Sequence, residues 1–190
     1  MTIGARLTTV MRMTTTDEDL ATQAASGDGA AFGVLLDRHY DRLFAFCFRL
    51  TGSRAEAEDL TQDICAALPT KLCSYQARAR VTTWLYRVAV NAAHDRRRKQ
   101  ATYARATSGW GTWEIGRVAD IAEDAGKSDW LTSAMGTLTD DLRDTLALIL
   151  DDATHAQAAE VLGVSEGTIS WRVSEAKKRL KAHRMQEDVQ

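Results

Sequence analysis

The chain has 190 residues, enough for one large domain or two small ones, and with 45% hydrophobic residues it can bury a real core. No apolar run approaches the roughly 20 residues that span a bilayer, and the N-terminus lacks a secretory h-region, so membrane-inserted and exported classes are not indicated. The net charge of −2 conceals segregation: residues 71–105 carry nine Lys and Arg against one acid, whereas residues 106–152 carry three against ten. Phosphate contacts depend on local patches, and the two basic stretches (71–105 and 153–190) read as two contact sites on one polymer. The acidic stretch between them reads as a solvated surface. A single proline and abundant Ala, Leu, Arg and Glu point to an all-helical chain. Cys47, Cys65 and Cys73 are odd in number and lack a C-x-x-C pair, so no disulfide frame or zinc knuckle is suggested. Cys47 and Cys65 read as reduced, core-facing thiols.

Residues 1–15 show no convincing period and read as an extension, with Met11 and Met13 as alternative starts. Thr16 followed by Asp17, Glu18 and Asp19 is a cap with an acidic first turn, opening a first helix that ends near Gly27 and Gly29. A second helix starts at Ala30. In it Phe32, Leu35, Leu36, Tyr40, Leu43, Phe44, Cys47 and Leu50 keep a helical period, and Gly52 ends it. Ser53 caps a third helix, predicted over 54–68, with Ala57, Leu60, Ile64 and Leu68 inside and Glu56, Asp59, Gln62 and Asp63 outside. Pro69 is expected to stop it, leaving a loop over 70–80. Thr82 or Thr83 opens a fourth helix with Trp84, Leu85, Val88, Ala89 and Ala92 on its apolar face and Arg87, Asn91, His94 and Asp95 on the flank. The run Arg96, Arg97, Arg98 and Lys99 ends it. Those cations suit the C-terminal dipole, and four in succession suit phosphate equally well.

Residues 101–133 read as a linker whose Trp110, Trp113 and Trp130 imply packing on something, within the chain or in a partner. A second helical unit follows, with Leu138, Leu142, Leu146, Ile149 and Leu150 expected against a helix-turn-helix. In that motif Ala158 and Ala159 allow close helix crossing, Gly163 supplies a positive φ, and Ser165 caps the last helix. Ile169, Val173, Ala176 and Leu180 form its buried stripe, leaving Ser170, Trp171, Arg172, Ser174, Lys177, Lys178 and Arg179 outside. A helix buried on one side and polar-basic on the other suits the DNA major groove. The four histidines show no ligand spacing, and no nucleophile elbow or phosphate-binding loop occurs, so an enzyme is the least favoured class. His155 is expected to face DNA backbone or solvent.

Four segments carry a resemblance in family order and spacing: Ser26-Gly-Asp28 with Ala31-Phe32; Arg54-Ala-Glu-Ala-Glu-Asp59-Leu-Thr-Gln62-Asp63; Thr83-Trp84-Leu-Tyr-Arg87-Val-Ala-Val-Asn91; and Leu162-Gly163-Val-Ser165-Glu-Gly167-Thr168-Ile169. Across about four-fifths of its length the chain resembles an extracytoplasmic-function (ECF) sigma factor of the sigma-70 family, the bacterial RNA polymerase subunits that select promoters. The resemblance implies an all-α fold of two small helical domains on a flexible linker. The expected division is an extension (1–15), a region 2-like domain (16–100), the linker (101–133), a region 4-like helix-turn-helix domain (134–184) and a tail (185–190).

It also implies roles. Asp59, Gln62 and Asp63 match the surface that docks on the clamp of the polymerase largest subunit. The fourth helix and the preceding loop match the element that opens the −10 region. There Tyr75 and Asn91 are candidates for exposed bases, and Arg87, Arg96, Arg97, Arg98 and Lys99 for phosphates. The last helix would read the −35 element through Thr168, Ser170, Trp171 and Ser174, with Arg172, Lys177 and Lys178 positioning it. Trp171 either meets DNA or packs on the preceding helix. Ser170 and Glu175 stand where relatives often carry cations, and Thr139 stands where they carry proline; with Asp151 and Asp152 this bears on docking to the polymerase flap. The implied partners are core RNA polymerase (clamp and flap), promoter DNA and an anti-sigma protein. No cofactor, metal or membrane insertion is implied, and the implied location is cytoplasmic. Two other readings fit the residues: a stand-alone helix-turn-helix regulator, and a sigma-like protein that sequesters a regulator.

Overall fold

The computed structural model describes residues 15–107 and 134–187, and every regular element among them is an α-helix. In chain order these are α1 (Asp17–Ala25), α2 (Gly29–Thr51), α3 (Arg54–Leu72), α4 (Val81–Thr107), α5 (Asp140–Leu150), α6 (His155–Leu162) and α7 (Glu166–Glu187). The readings made for Met11, Met13, Trp110, Trp113 and Trp130 lie outside the described residues.

Local chemistry sets most of the helix ends. The Thr16 hydroxyl accepts from the Asp19 amide, the Asp28 carboxylate from Ala30 and Ala31, and the Ser53 hydroxyl from Glu56, each satisfying amides that a first turn leaves without partners. Gly52 closes α2 at φ +71° and Gly163 closes α6 at φ +66°, a left-handed conformation in which a Cβ would be strained. Thr154 and Gln157 form a reciprocal capping box at the start of α6.

Two ends fall elsewhere than the sequence suggests. Pro69 does not stop α3; the helix runs one turn further and places Leu72 fully in the core. Loss of one late helical bond and the ring clash cost about 3 kcal/mol, the same size as the roughly 1.5–3 kcal/mol from burying a leucine. Helix α4 begins at Val81 and continues to Thr107, past the cationic run. On α2 Tyr40 is exposed, and so is Leu150 at the end of α5, although both were expected in the apolar stripes.

Helices α1–α4 surround one core, with Leu20, Phe46, Leu50, Leu60 and Ile64 essentially inaccessible. Met135, Leu138, Leu142, Leu148, Ile169, Val173 and Ala176 fill the second, between α5, α6 and α7. The two domains are also packed together: α5 lies on α2, and α6 lies on α4. Their buried residues join into one cluster. Helix α4 is the element between them. Of its expected face Leu85, Val88 and Ala89 are buried and Trp84 and Ala92 half-buried, and Tyr86, Val90 and Ala93 are buried as well. A helix apolar over most of its girth is covered on more than one side.

The acidic stretch that reads as a solvated surface is in part the opposite. Asp144 is 1% exposed and Asp151 9% exposed, because each carboxylate meets cations of the first domain.

Candidate nucleic-acid and polymerase interface

On α7 the chemistry follows from the helix period. Ile169, Val173 and Ala176 turn inward, and Ser170, Ser174, Lys177 and Lys178 are exposed on the opposite side. Trp171 is 64% exposed, so of its two readings the outward one describes its position. The face is presented by the Gly163 turn and by Ser165, whose hydroxyl accepts from the Thr168 amide at 3.1 Å. Thr168 is half-buried, its hydroxyl 2.9 Å from that of Ser165. Arg172, expected on the outer face, instead turns back to α5 and pairs with Asp141 at 2.7 Å, its side chain only 14% exposed. His155 sits beside α7, its Nδ1 3.1 Å from the Ser170 hydroxyl. Arg179 pairs along the helix with Glu175.

On α3 Asp59, Gln62 and Asp63 are exposed, as the periodicity predicts. They are not isolated from α4. The Arg96 guanidinium crosses to α3, reaching Asp59 at 3.0 Å, Glu56 at 3.2 Å and Asp63 at 3.4 Å. Burial works against the Arg96 cation, but Asp59 and Glu56 more than offset it and raise its pKa. Arg96, placed with the phosphate contacts in the sequence, is thus a strut between the two helices.

The other cations of α4 divide in the same way. Arg87 donates to the Glu160 carboxylate at 2.9 Å. Arg97 donates to both oxygens of Asp144 at 2.9 Å, and its other terminal nitrogen lies 3.0 Å from Asp140. His94 Nε2 lies 2.7 Å from the same Asp144 carboxylate. Arg98 pairs with Asp95 one turn back. Asn91, Arg98 and Lys99 are exposed. In the loop before α4 Tyr75 is half-buried: its hydroxyl donates to the Ala79 carbonyl at 2.8 Å and its ring lies 5.5 Å from that of Trp84. Burial raises the Tyr75 pKa, so it stays a neutral donor.

Asp151, read from the sequence with Asp152 only as bearing on flap docking, joins the two domains. It caps the C-terminus of α5 and enters the first domain, where Arg42 donates to its carboxylate at 2.8 Å and to its carbonyl at 2.7 Å. Arg49 and the Tyr86 hydroxyl donate to the same carboxylate. The Asp151 hydrogen bond holds the Arg42 pKa above its ordinary value, while burial and then the neighbouring carboxylate push Tyr86 far up. Partners 65 to 109 residues away leave no spacing to read; the one signal was the apolar Tyr86 and Val90 beyond the expected face of α4.

Comparison with known proteins fits this geometry. Residues 35–103 match the family profile of Sigma-70 region 2, and residues 128–180 match that of Sigma-70, region 4. The chain is 28% identical to the ECF RNA polymerase sigma factor SigW of Bacillus subtilis, over 84% of this chain and 91% of that protein. It is 30% identical to the ECF RNA polymerase sigma factor SigM of Mycobacterium tuberculosis, over 86% of this chain and 82% of that one. Among solved structures it is similar to CnrH in complex with the cytosolic domain of CnrY, with a TM-score of 0.64 and 25% identity over 87% of this chain and 95% of that one. The sigma factor RpoE bound to the anti-sigma factor NepR from Bartonella quintana shares the fold, with a TM-score of 0.64 at 24% identity over 77% of this chain and 92% of that one. The chain therefore belongs to the ECF sigma factors of the sigma-70 family, alternative specificity subunits that bring RNA polymerase to promoters.

Proposed function

We propose that the polymerase is engaged by the exposed Asp59, Gln62 and Asp63 of α3, that Asn91, Arg87, Arg97, Arg98 and Lys99 of α4, with Tyr75, attend the −10 strand while Arg96 braces α4 on α3, and that α7 reads the −35 duplex. The outward stripe of α7 carries this reading: Ser170, Trp171, Ser174, Lys177 and Lys178 lie on one exposed side of a helix whose other side is sealed in the core. Such a helix offers hydroxyls and an indole to base edges and ammonium groups to phosphates. Trp171 is suited to a thymine methyl, and Arg172 acts through the scaffold by tying α7 to α5.

Opening of the promoter uses binding energy to trap extruded bases. The chain supplies no bond-making chemistry of its own, and phosphodiester synthesis belongs to the polymerase core. It works in the cytoplasm, where that core is. An anti-sigma protein controls it, in line with the complexes that its structural relatives form. The test is reconstitution: core polymerase, this protein and sheared genomic DNA, with the transcripts sequenced. Start sites that share −10 and −35 elements and depend on the protein are expected. Tight duplex binding by the protein alone, with no effect on the polymerase, would refute the reading.

A further inference from the structure

With α7 on the −35 duplex, a reading on which this inference rests, the direction of its outward hydroxyls decides which bases they can meet. A hydroxyl both donates and accepts, whereas a Lys or Arg in the same place could only donate. Several helical hydroxyls of this chain have no such freedom: Thr22, Thr51, Thr102 and Thr145 each donate to the carbonyl four residues back. Ser170 does otherwise. Its oxygen lies 3.1 Å from Nδ1 of His155, fifteen residues earlier and on a different helix. Both backbones are fixed. His155 follows Thr154, the N-cap of the reciprocal capping box that opens α6, and Ser170 follows Ile169, which is fully buried. The contact with Ser170 is the one side-chain hydrogen bond that His155 makes among the described residues, so Nε2 of this exposed ring is left for an outside acceptor.

We infer that His155 is a positioning residue for −35 recognition: it turns the Ser170 hydroxyl so that the oxygen, and not the proton, faces the groove, and the pair thereby selects a base that carries an exocyclic amine. The first helix of a helix-turn-helix crosses the DNA backbone, which brings phosphate to the start of α6. A phosphate oxygen only accepts, so Nε2 must be the protonated nitrogen that donates to it. In a neutral imidazole Nδ1 then has a lone pair and no proton. Ser170 must donate to Nδ1, and its oxygen is left as an acceptor. In the major groove that acceptor suits the N6 amine of adenine or the N4 amine of cytosine and opposes O6 of guanine and O4 of thymine. Without His155 the hydroxyl rotates freely and serves donors and acceptors alike.

The test uses the holoenzyme and a promoter identified by reconstitution, with affinity measured for every single base-pair change across its −35 element. Wild type is expected to show one base pair at which adenine or cytosine on one strand binds about fivefold better than guanine or thymine, the size of one hydrogen bond. Ser170→Ala and His155→Ala should each level that preference and leave those at the other base pairs intact. The double variant should go no further than either single one. His155→Phe, which keeps a ring without its nitrogens, should level it too. His155→Asn, whose amide oxygen can accept near the place of Nδ1, should restore it, a rescue that a damaged fold could not show. A His155→Phe holoenzyme with every base preference unchanged overturns the proposal, and so does one that loses affinity equally for all the duplexes. A preference for guanine or thymine at the Ser170-dependent pair overturns it as well. Wild-type indifference to every −35 change would overturn the reading of α7 itself, and this inference with it.

Discussion

Helices α4 and α7 are built on the same plan, an apolar side sealed in a core and a cationic side assigned to DNA, yet they sit in opposite circumstances. On α7 the outward residues Ser170, Trp171, Ser174, Lys177 and Lys178 are exposed. On α4 Arg87, Arg96 and Arg97 each hold a carboxylate, two of them from the other domain. A cationic helix in a sequence therefore states a capacity for phosphate, and only the packing states whether that capacity is available. The sequence also holds the reason: α4 is apolar around most of its girth and must be covered twice, whereas the alternation on α7 is one-sided.

Charge on α3, which lies outside both helices, is expected to matter most. Reversing charge at Asp59 and Asp63 together (Asp59→Lys/Asp63→Lys) should abolish protein-dependent transcription with core polymerase while leaving duplex binding by α7 unchanged. It also removes two partners of Arg96, so helix content should be measured beside activity. Transcription at wild-type level would place the polymerase contact elsewhere.

Two neighbours on α7 separate fold from recognition. Ile169→Ala empties a fully buried position and should cost about 2–5 kcal/mol in denaturant unfolding. Trp171→Ala should change stability by no more than about 0.5 kcal/mol, since the indole is 64% exposed, yet weaken binding of a −35 duplex by about tenfold. If Trp171→Ala unfolded the domain, the division of α7 into a structural and a reading side would be wrong.

The smallest effect is one of pH. Burial works against the Asp17 carboxylate, but hydrogen bonds and charge from Arg38 and His39 prevail and hold its pKa below 3.8. A carboxyl depressed in the folded state contributes stability that is fully present above its unfolded value and is lost as pH falls through the folded one. Thermal unfolding should thus show wild type losing more stability than Asp17→Asn below about pH 4, by less than about 1 kcal/mol because the side chain is part-exposed. Identical acid profiles for the two proteins would remove Asp17 from the account.

Much of this architecture was legible because its determinants are local. Thr16, Ser53, Gly52, Gly163 and Ser165 each act within four residues of themselves, and each bounds the helix it was expected to bound. Pro69 misled because a local rule met a non-local demand, the burial of Leu72. Asp144 and Asp151 were illegible for the same reason in stronger form. An acid in an acidic stretch reads as solvated, and nothing within ten residues reveals an arginine across the domain boundary. At the site, the outward phase of Ser170, Ser174, Lys177 and Lys178 followed from period alone, whereas the roles of Arg96 and Arg172 as struts depend on helices that only the fold brings alongside.

Two helices are proposed to meet promoter DNA: α7, whose outward side is exposed, and α4, whose Arg87 and Arg97 are paired with carboxylates of the other domain. Hydroxyl-radical footprinting of a promoter identified by reconstitution, with and without core polymerase, tests this most directly. The account predicts that the holoenzyme protects both the −10 and −35 elements and that the protein alone gives no −10 protection at any concentration that begins to protect −35. Equal protection of both elements by the protein alone would contradict it.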